Sequence, residues 1–73
     1  MKTNTSKHCY GTNIRKWRLV KGIKQCQLAA HLHITEGALS NIENDKSDIS
    51  LHRFVDIAEY LHIPFENLLV EPG

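Results

Sequence analysis

Between residues 11 and 69, apolar side chains recur three and four positions apart, in five short bursts separated by polar residues. That period belongs to helices with one buried face, because 3.6 residues complete a turn. Ile14, Trp17 and Val20 mark the first burst, which stops at Gly22, a residue suited to the left-handed conformation that ends many helices. Leu28, Ala29 and Leu32 mark a second, over about residues 25–32. Thr35 has the side chain to cap a third, whose Leu39 and Ile42 face inward. The polar stretch NDKSD reads as a loop, after which Ser50 caps a fourth helix with Leu51, Phe54, Val55, Ala58 and Leu61 on one face. Pro64 cannot continue that helix but fits near the start of another, so a break falls at His62 and Ile63. Phe65, Leu68 and Leu69 then form the apolar side of a fifth helix. No strand pattern and no internal repeat is present. The expectation is an all-α fold, a compact bundle of five short helices over residues 11–70, preceded by a flexible polar arm (residues 1–10) and followed by a short tail (residues 71–73).

Seventy-three residues make one small domain whose core is marginal unless it is well packed or shared, so a homodimer is expected. The apolar runs are too short to cross a membrane, and the opening MKTNTSKHCYG lacks the apolar centre of a secretory signal, which points to a cytoplasmic protein. In that compartment Cys9 and Cys26 are expected to be free thiols. His31 and His33, two apart, fall on different sides of a helix, and His8, His52 and His62 are scattered, so neither a metal nor another cofactor is implied. A net charge of +1 conceals a strong polarity. Residues 1–35 carry Lys2, Lys7, Arg15, Lys16, Arg18, Lys21 and Lys24 with no acid, whereas residues 36–73 set Lys46 and Arg53 against eight acids. A positive face of this kind suits a polyanion, although a solvated basic surface has the same composition.

The segment NIRKWRLVKGIKQCQLAAHLHITEGALSNIENDK, followed by SLHRFVDIAEYLHIPFENLL, resembles the helix-turn-helix family of Cro and the phage lambda repressor, the xenobiotic-response-element type. The resemblance covers about residues 11–69 and rests on several elements in order: Ile14-Arg15, Trp17 and Arg18, then KGIKQ, QLA, a turn, and LSNIE. It implies a helix-turn-helix formed by helices two and three, the second crossing the phosphate backbone and the third entering the major groove of DNA. It also places Arg18 and Glu43 as an internal ion pair, structural rather than catalytic; if both are buried, removing one would cost about 3 to 5 kcal/mol. Ala29 is small where the two helices of the motif approach. Three residues depart from the family pattern. Lys24 replaces a capping Ser or Thr, His33 takes a turn position usually held by left-handed Gly, and Asp45 replaces a common Gly after helix three.

With its inward positions removed, the third helix leaves Glu36, Gly37, Ser40, Asn41 and Asn44 as one outward stripe. Taken alone, the stripe fits an ordinary solvated face equally well. With the resemblance, Glu36, Gly37, Ser40 and Asn41 become candidate base readers: Asn41 suits adenine, Ser40 is permissive, and Glu36 can accept from a cytosine amino group or simply favour the helix dipole. Lys24, Gln25, Thr35, Asn44 and Lys46 become candidate phosphate contacts. Phe65, Leu69 and Val70 form a candidate dimer surface, unless Phe65 only completes the core. The function expected is a sequence-specific transcriptional regulator of double-stranded DNA, a repressor or small controller, governed by concentration, dimerisation or a regulatory protein partner. The alternative is a protein-interaction module, such as an antitoxin or adaptor, engaging a partner through its acidic half. An enzyme is not expected, since Cys26 and His31, five apart on one short helix, are poorly placed for a catalytic dyad.

Overall fold

Four α-helices and one 3-10 turn account for most of residues 10–70, the part of the chain described by this computed structural model: α1 (Tyr10–Val20), α2 (Gln25–Leu32), α3 (Glu36–Glu43), α4 (Leu51–Leu61) and the 3-10 turn Phe65–Leu69. The polar arm, apart from Tyr10, lies outside the described residues, as do His8, Cys9 and the tail 71–73. No strand occurs among the described residues, and none of their helices is long and apolar enough to cross a membrane.

Each helix begins where a side chain or a neighbour can take up its free amides. Thr35 Oγ1 accepts from the Ala38 N–H at 3.0 Å, and Ser50 Oγ accepts from the Arg53 N–H at 3.2 Å, so α3 and α4 start on ordinary hydroxyl caps. Lys24 has no acceptor to offer α2. Only the reciprocal half of a capping box is present there, with Gln27 Oε1 accepting from the Lys24 N–H at 2.8 Å. The first turn of α1 is capped from across the fold. Asp45, just beyond α3, accepts from the Gly11 N–H at 2.9 Å and from the Thr12 hydroxyl at 3.0 Å.

All four α-helices end in the same motif, one left-handed residue that lets the chain close two crossing hydrogen bonds. The left-handed residues are Gly22 (φ 71°), His33 (φ 59°), Asp45 (φ 60°) and His62 (φ 58°). In each, the next residue donates across the last turn: Ile23 to the Arg18 carbonyl, Ile34 to Ala29, Lys46 to Asn41 and Ile63 to Ala58. Ile23, Ile34 and Ile63 are partly buried and fold back on the core, whereas Lys46 is exposed. His33 and Asp45 adopt the conformation their turn positions demand, and His62 adopts it too, for the same reason.

The fifth element is a single 3-10 turn, so the expectation of five α-helices is corrected to four and a turn. Pro64 precedes it without an amide hydrogen, and five residues leave room only for short-range bonding, with the Asn67 N–H donating to the Pro64 carbonyl at 2.9 Å. That turn is nevertheless firmly held. Asn13 Nδ2 donates to the Leu68 carbonyl at 3.1 Å, and Trp17 Nε1 donates to the Asn67 and Val70 carbonyls at 3.0 and 3.1 Å. Buried backbone carbonyls need such partners, and both donors come from α1.

Every element contributes to one core, in which Ile14, Leu28, Leu39, Ile57, Leu61 and Leu68 are fully buried. Ala29 is buried where α2 packs against α3 and α4. The inward face of α4 is rotated from the expected one: Phe54, Ile57, Ala58 and Leu61 are buried, Val55 is half-buried and Leu51 is 67% exposed. Residues 54, 57, 58 and 61 follow the full i, i+3, i+4, i+7 spacing of one helix face, which Leu51 and Val55 join only at its edge. Gly11 is required for the contact between α1 and α3. A Cβ there would overlap the Ile42 carbonyl oxygen, so α1 meets the last turn of α3 backbone to backbone.

Candidate nucleic-acid interface

α3 turns Leu39, Ile42 and Glu43 inward, which leaves Glu36, Gly37 and Asn41 exposed and Ser40 half-buried on the other side. Glu36 stands in the first turn, where a negative charge favours the helix dipole. Gly37 is surrounded by open space: a Cβ would meet only Thr35 Oγ1, at 3.9 Å. Nothing inside the fold requires glycine at that position, although glycine in a helix costs about 1 kcal/mol relative to alanine.

The inner side of α3 is fixed by charge. Arg18 Nε donates to Glu43 Oε2 at 2.7 Å and Arg18 Nη2 to Glu43 Oε1 at 3.1 Å, a fork-to-fork pair in which both side chains are buried. Arg18 Nη1 also donates to the Ile23 carbonyl at 2.9 Å, and Gln25 Nε2 donates to Glu43 Oε1 at 3.2 Å. One network thereby joins the end of α1, the loop after it, the start of α2 and the end of α3. No buried side-chain polar atom among the described residues lacks a partner. A fully satisfied network of this kind holds a helix angle more firmly than apolar contact alone.

The candidate phosphate contacts fall into three states. Lys24 and Lys46 are exposed, with their ammonium groups available. Thr35 uses its oxygen to cap α3 but keeps its own hydroxyl proton for donation, and half-buried Gln25 has one amide hydrogen committed to Glu43. Asn44 is turned back on its own helix, donating to the Ser40 carbonyl at 2.9 Å and to Ser40 Oγ at 3.3 Å. It can serve a phosphate only by releasing those bonds. A helix-terminal Asn commonly bonds the carbonyl four residues back, so that contact is readable from local sequence. The tie between Gln25 and Glu43, separated by eighteen residues, is not.

Away from this surface, Phe65 and Leu69 are 37% and 40% exposed and join Tyr10, Ile49, Leu51 and Phe54 around an apolar groove of about 260 Å³. Phe65 also meets the Phe54 ring edge-on at 5.2 Å, so it both closes the core and faces water. Val70 is 58% exposed. The His31 ring stacks on Tyr60 at 4.4 Å, packing α2 against α4, and Cys26 is an exposed free thiol. Among the described residues, no three His, Cys, Asp or Glu side chains converge where a metal ion could be held.

The helix-turn-helix family model matches residues 14–68, from the first core residue of α1 to the last buried leucine. A search of curated proteins finds no match. Among solved structures, the chain is similar to the restriction-modification controller protein C.AhdI from Aeromonas hydrophila, at 25% identity and a TM-score of 0.74, covering 81% of this chain and 86% of that one. It is similar to the hypothetical transcription factor NHTF from Neisseria, at 26% identity and a TM-score of 0.77, covering 90% and 76%. The clp gene regulator ClgR from C. glutamicum superposes with a TM-score of 0.80 over 86% and 82% of the chains, at 22% identity, a likeness of fold alone. The capped helices, the left-handed turn at His33 and the match over most of the sequence lead to one assignment: the chain belongs to the helix-turn-helix family, of the Cro and lambda repressor type.

Proposed function

We propose that the chain is a sequence-specific regulator of transcription that binds double-stranded DNA as a homodimer, with α2 and α3 as its helix-turn-helix and α3 in the major groove. The observation that carries this reading is the outward stripe of α3, unpacked and free of internal purpose at Gly37, on a helix whose other face is locked by the Arg18–Glu43 pair. Small residues at the start of α3 let the helix backbone approach the groove closely. Specificity then falls to the other side chains of the stripe: Asn41 bonds adenine through its amide oxygen and nitrogen together, Ser40 adds a permissive contact, and Glu36 accepts from a cytosine amino group while repelling acceptor-only edges.

Phosphate contacts on either side of the groove supply most of the affinity. Lys24, Gln25 and the amides that open α2 grip one backbone, with Thr35 and Lys46 beside α3 adding others, and Asn44 joining them when it releases Ser40. Phe65, Leu69 and Val70, with the neighbouring apolar groove, bring two copies together so that their reading helices meet half-sites about 34 Å apart.

Selection of bound sequences from a random duplex pool tests the whole proposal. The expected outcome is a two-fold symmetric site and a binding constant that falls steeply with salt. A pool that shows no enrichment, or an affinity indifferent to salt, would overturn it. Glu36→Gln refines the base-reading claim: a changed preference at one position assigns Glu36 to a base, and an unchanged site leaves it only the dipole.

A further inference from the structure

Gln25 opens α2, and its amide faces the buried carboxylate that closes α3. Glu43 is 2% exposed, and its two oxygens take three hydrogen bonds, two from Arg18 and one from Gln25. A carboxylate only accepts. The end of the Gln25 amide turned toward Glu43 must therefore be its nitrogen, and the alternative orientation, oxygen against oxygen, is excluded. One N–H of that nitrogen is held by Glu43, while the second has no partner among the described residues.

We infer that Glu43 is a positioning residue for DNA binding: it fixes the Gln25 amide so that the remaining N–H is available to a backbone phosphate. The inference rests on the reading of α2 and α3 as the DNA-contacting pair. A glutamine free to rotate would present its carbonyl to phosphate as readily as its amide hydrogens, and the carbonyl repels. The tie removes that choice before DNA arrives, so the contact needs less ordering on binding. The charge balance fits as well. A lone carboxylate this close would oppose a phosphate, but the guanidinium of Arg18, bonded to both Glu43 oxygens, cancels it locally. The ion pair thus does two things, locking three helix ends together and steering one amide.

The test separates these roles by comparing Gln25→Ala in two backgrounds. One is the natural chain. The other is the double substitution Arg18→Met and Glu43→Met, which replaces the pair by apolar side chains of similar volume, an exchange that often preserves a fold. Affinities are measured on the duplex selected from the random pool. In the natural chain, Gln25→Ala is expected to weaken binding about tenfold, the scale of a hydrogen bond to a charged group. In the Met background it should change binding by less than about twofold, because an unsteered glutamine contributes little. Equal losses in both backgrounds would make the pair purely structural and overturn the inference, as would no loss in the natural chain. Should the Met pair fail to fold, the side-chain amide of the free natural chain decides instead. Nuclear magnetic resonance of that chain is an arm without DNA: the Gln25 side-chain amide should exchange slowly with water, and an amide that exchanges as fast as an exposed glutamine would refute the tie. If the natural chain binds no duplex at all, the DNA reading itself has failed, which the unsubstituted protein alone reveals.

Discussion

The end of α3 differs from the ends of α1, α2 and α4 in the residue that comes after the left-handed one. Gly22, His33 and His62 are each succeeded by an isoleucine that folds back on the core, and Asp45 by Lys46, in water. An apolar residue at that position normally seals a helix end against the body of the fold. Three ends of this chain are sealed that way, by local sequence and burial. The fourth is held by long-range contacts instead, two of them polar: Asp45 capping the first turn of α1 and Glu43 bound to Arg18, with the backbone of α1 resting on Ile42 at Gly11. The difference teaches how a fold can hold a helix rigidly while leaving its outer end uncovered. Apolar sealing at α3 would bury the side chain that now stands beside the proposed groove.

If the polar contacts at α3 carry its stability, breaking them should cost more than altering any local stop. Glu43→Ala leaves the buried Arg18 guanidinium without its carboxylate and should cost about 3 to 5 kcal/mol in urea unfolding, whereas the paired change to Met at both positions should cost much less. Equal costs would show that the helix end depends on packing and not on charge. Gly11→Ala comes next, at about 2 to 3 kcal/mol, because its Cβ must push α1 away from the Ile42 carbonyl and stretch both Asp45 bonds. A protein that tolerates this alanine within about 0.5 kcal/mol would refute the close approach. The third comparison has opposite signs. His33→Gly relieves left-handed strain at a locally sealed end and should stabilise by about 0.5 kcal/mol, while Asp45→Gly relieves the same strain but deletes the cap on α1 and should destabilise by about 1 kcal/mol. Shifts of the same sign at the two sites would mean that the Asp45 carboxylate contributes nothing.

The same contrast explains which parts of the fold are legible in the sequence. Thr35, Ser50 and the helix periods act over three or four residues, and local spacing reveals them, whereas the turn at His33 is read from the family resemblance. The family resemblance locates Asp45 as a turn residue, but nothing local says that its carboxylate reaches Thr12, thirty-three residues earlier. Asn13 reads as an ordinary polar position in α1, yet it is 6% exposed and bonds the Leu68 carbonyl, a partner that exists only once the chain has folded. Ile57 escapes the periodic reading although its spacing with Phe54, Ala58 and Leu61 is regular, because Leu51 begins the fourth helix with the right residue type and draws the face toward itself; α2 and the 3-10 turn pack against α4 on the face rotated past it. For the candidate interface, periodicity marks an outward stripe. It cannot show that Gly37 has free space around it or that Gln25 is tied to Glu43.

Lys46 gives the finest test, because the expected effects on stability and on binding go in different directions. Lys46→Ile would complete the set, giving α3 the same apolar stop as the other helices, and should leave stability unchanged or raise it by up to about 1 kcal/mol as the new side chain covers the end of the helix. If Lys46 neutralises a phosphate, the same change should lower the slope of log affinity against log salt by about 1 per protomer and weaken binding most at low salt, with the preferred sequence unaltered. Lys46→Gln separates charge from apolarity, since it loses the phosphate term without gaining the seal. A matching loss of slope in both variants, with a stability gain only in the isoleucine, would establish that the exposed stop of α3 is kept for the DNA. An unchanged slope in both would assign Lys46 to solvent, and the missing isoleucine would then reflect only that Asp45 and Glu43 already hold this helix end.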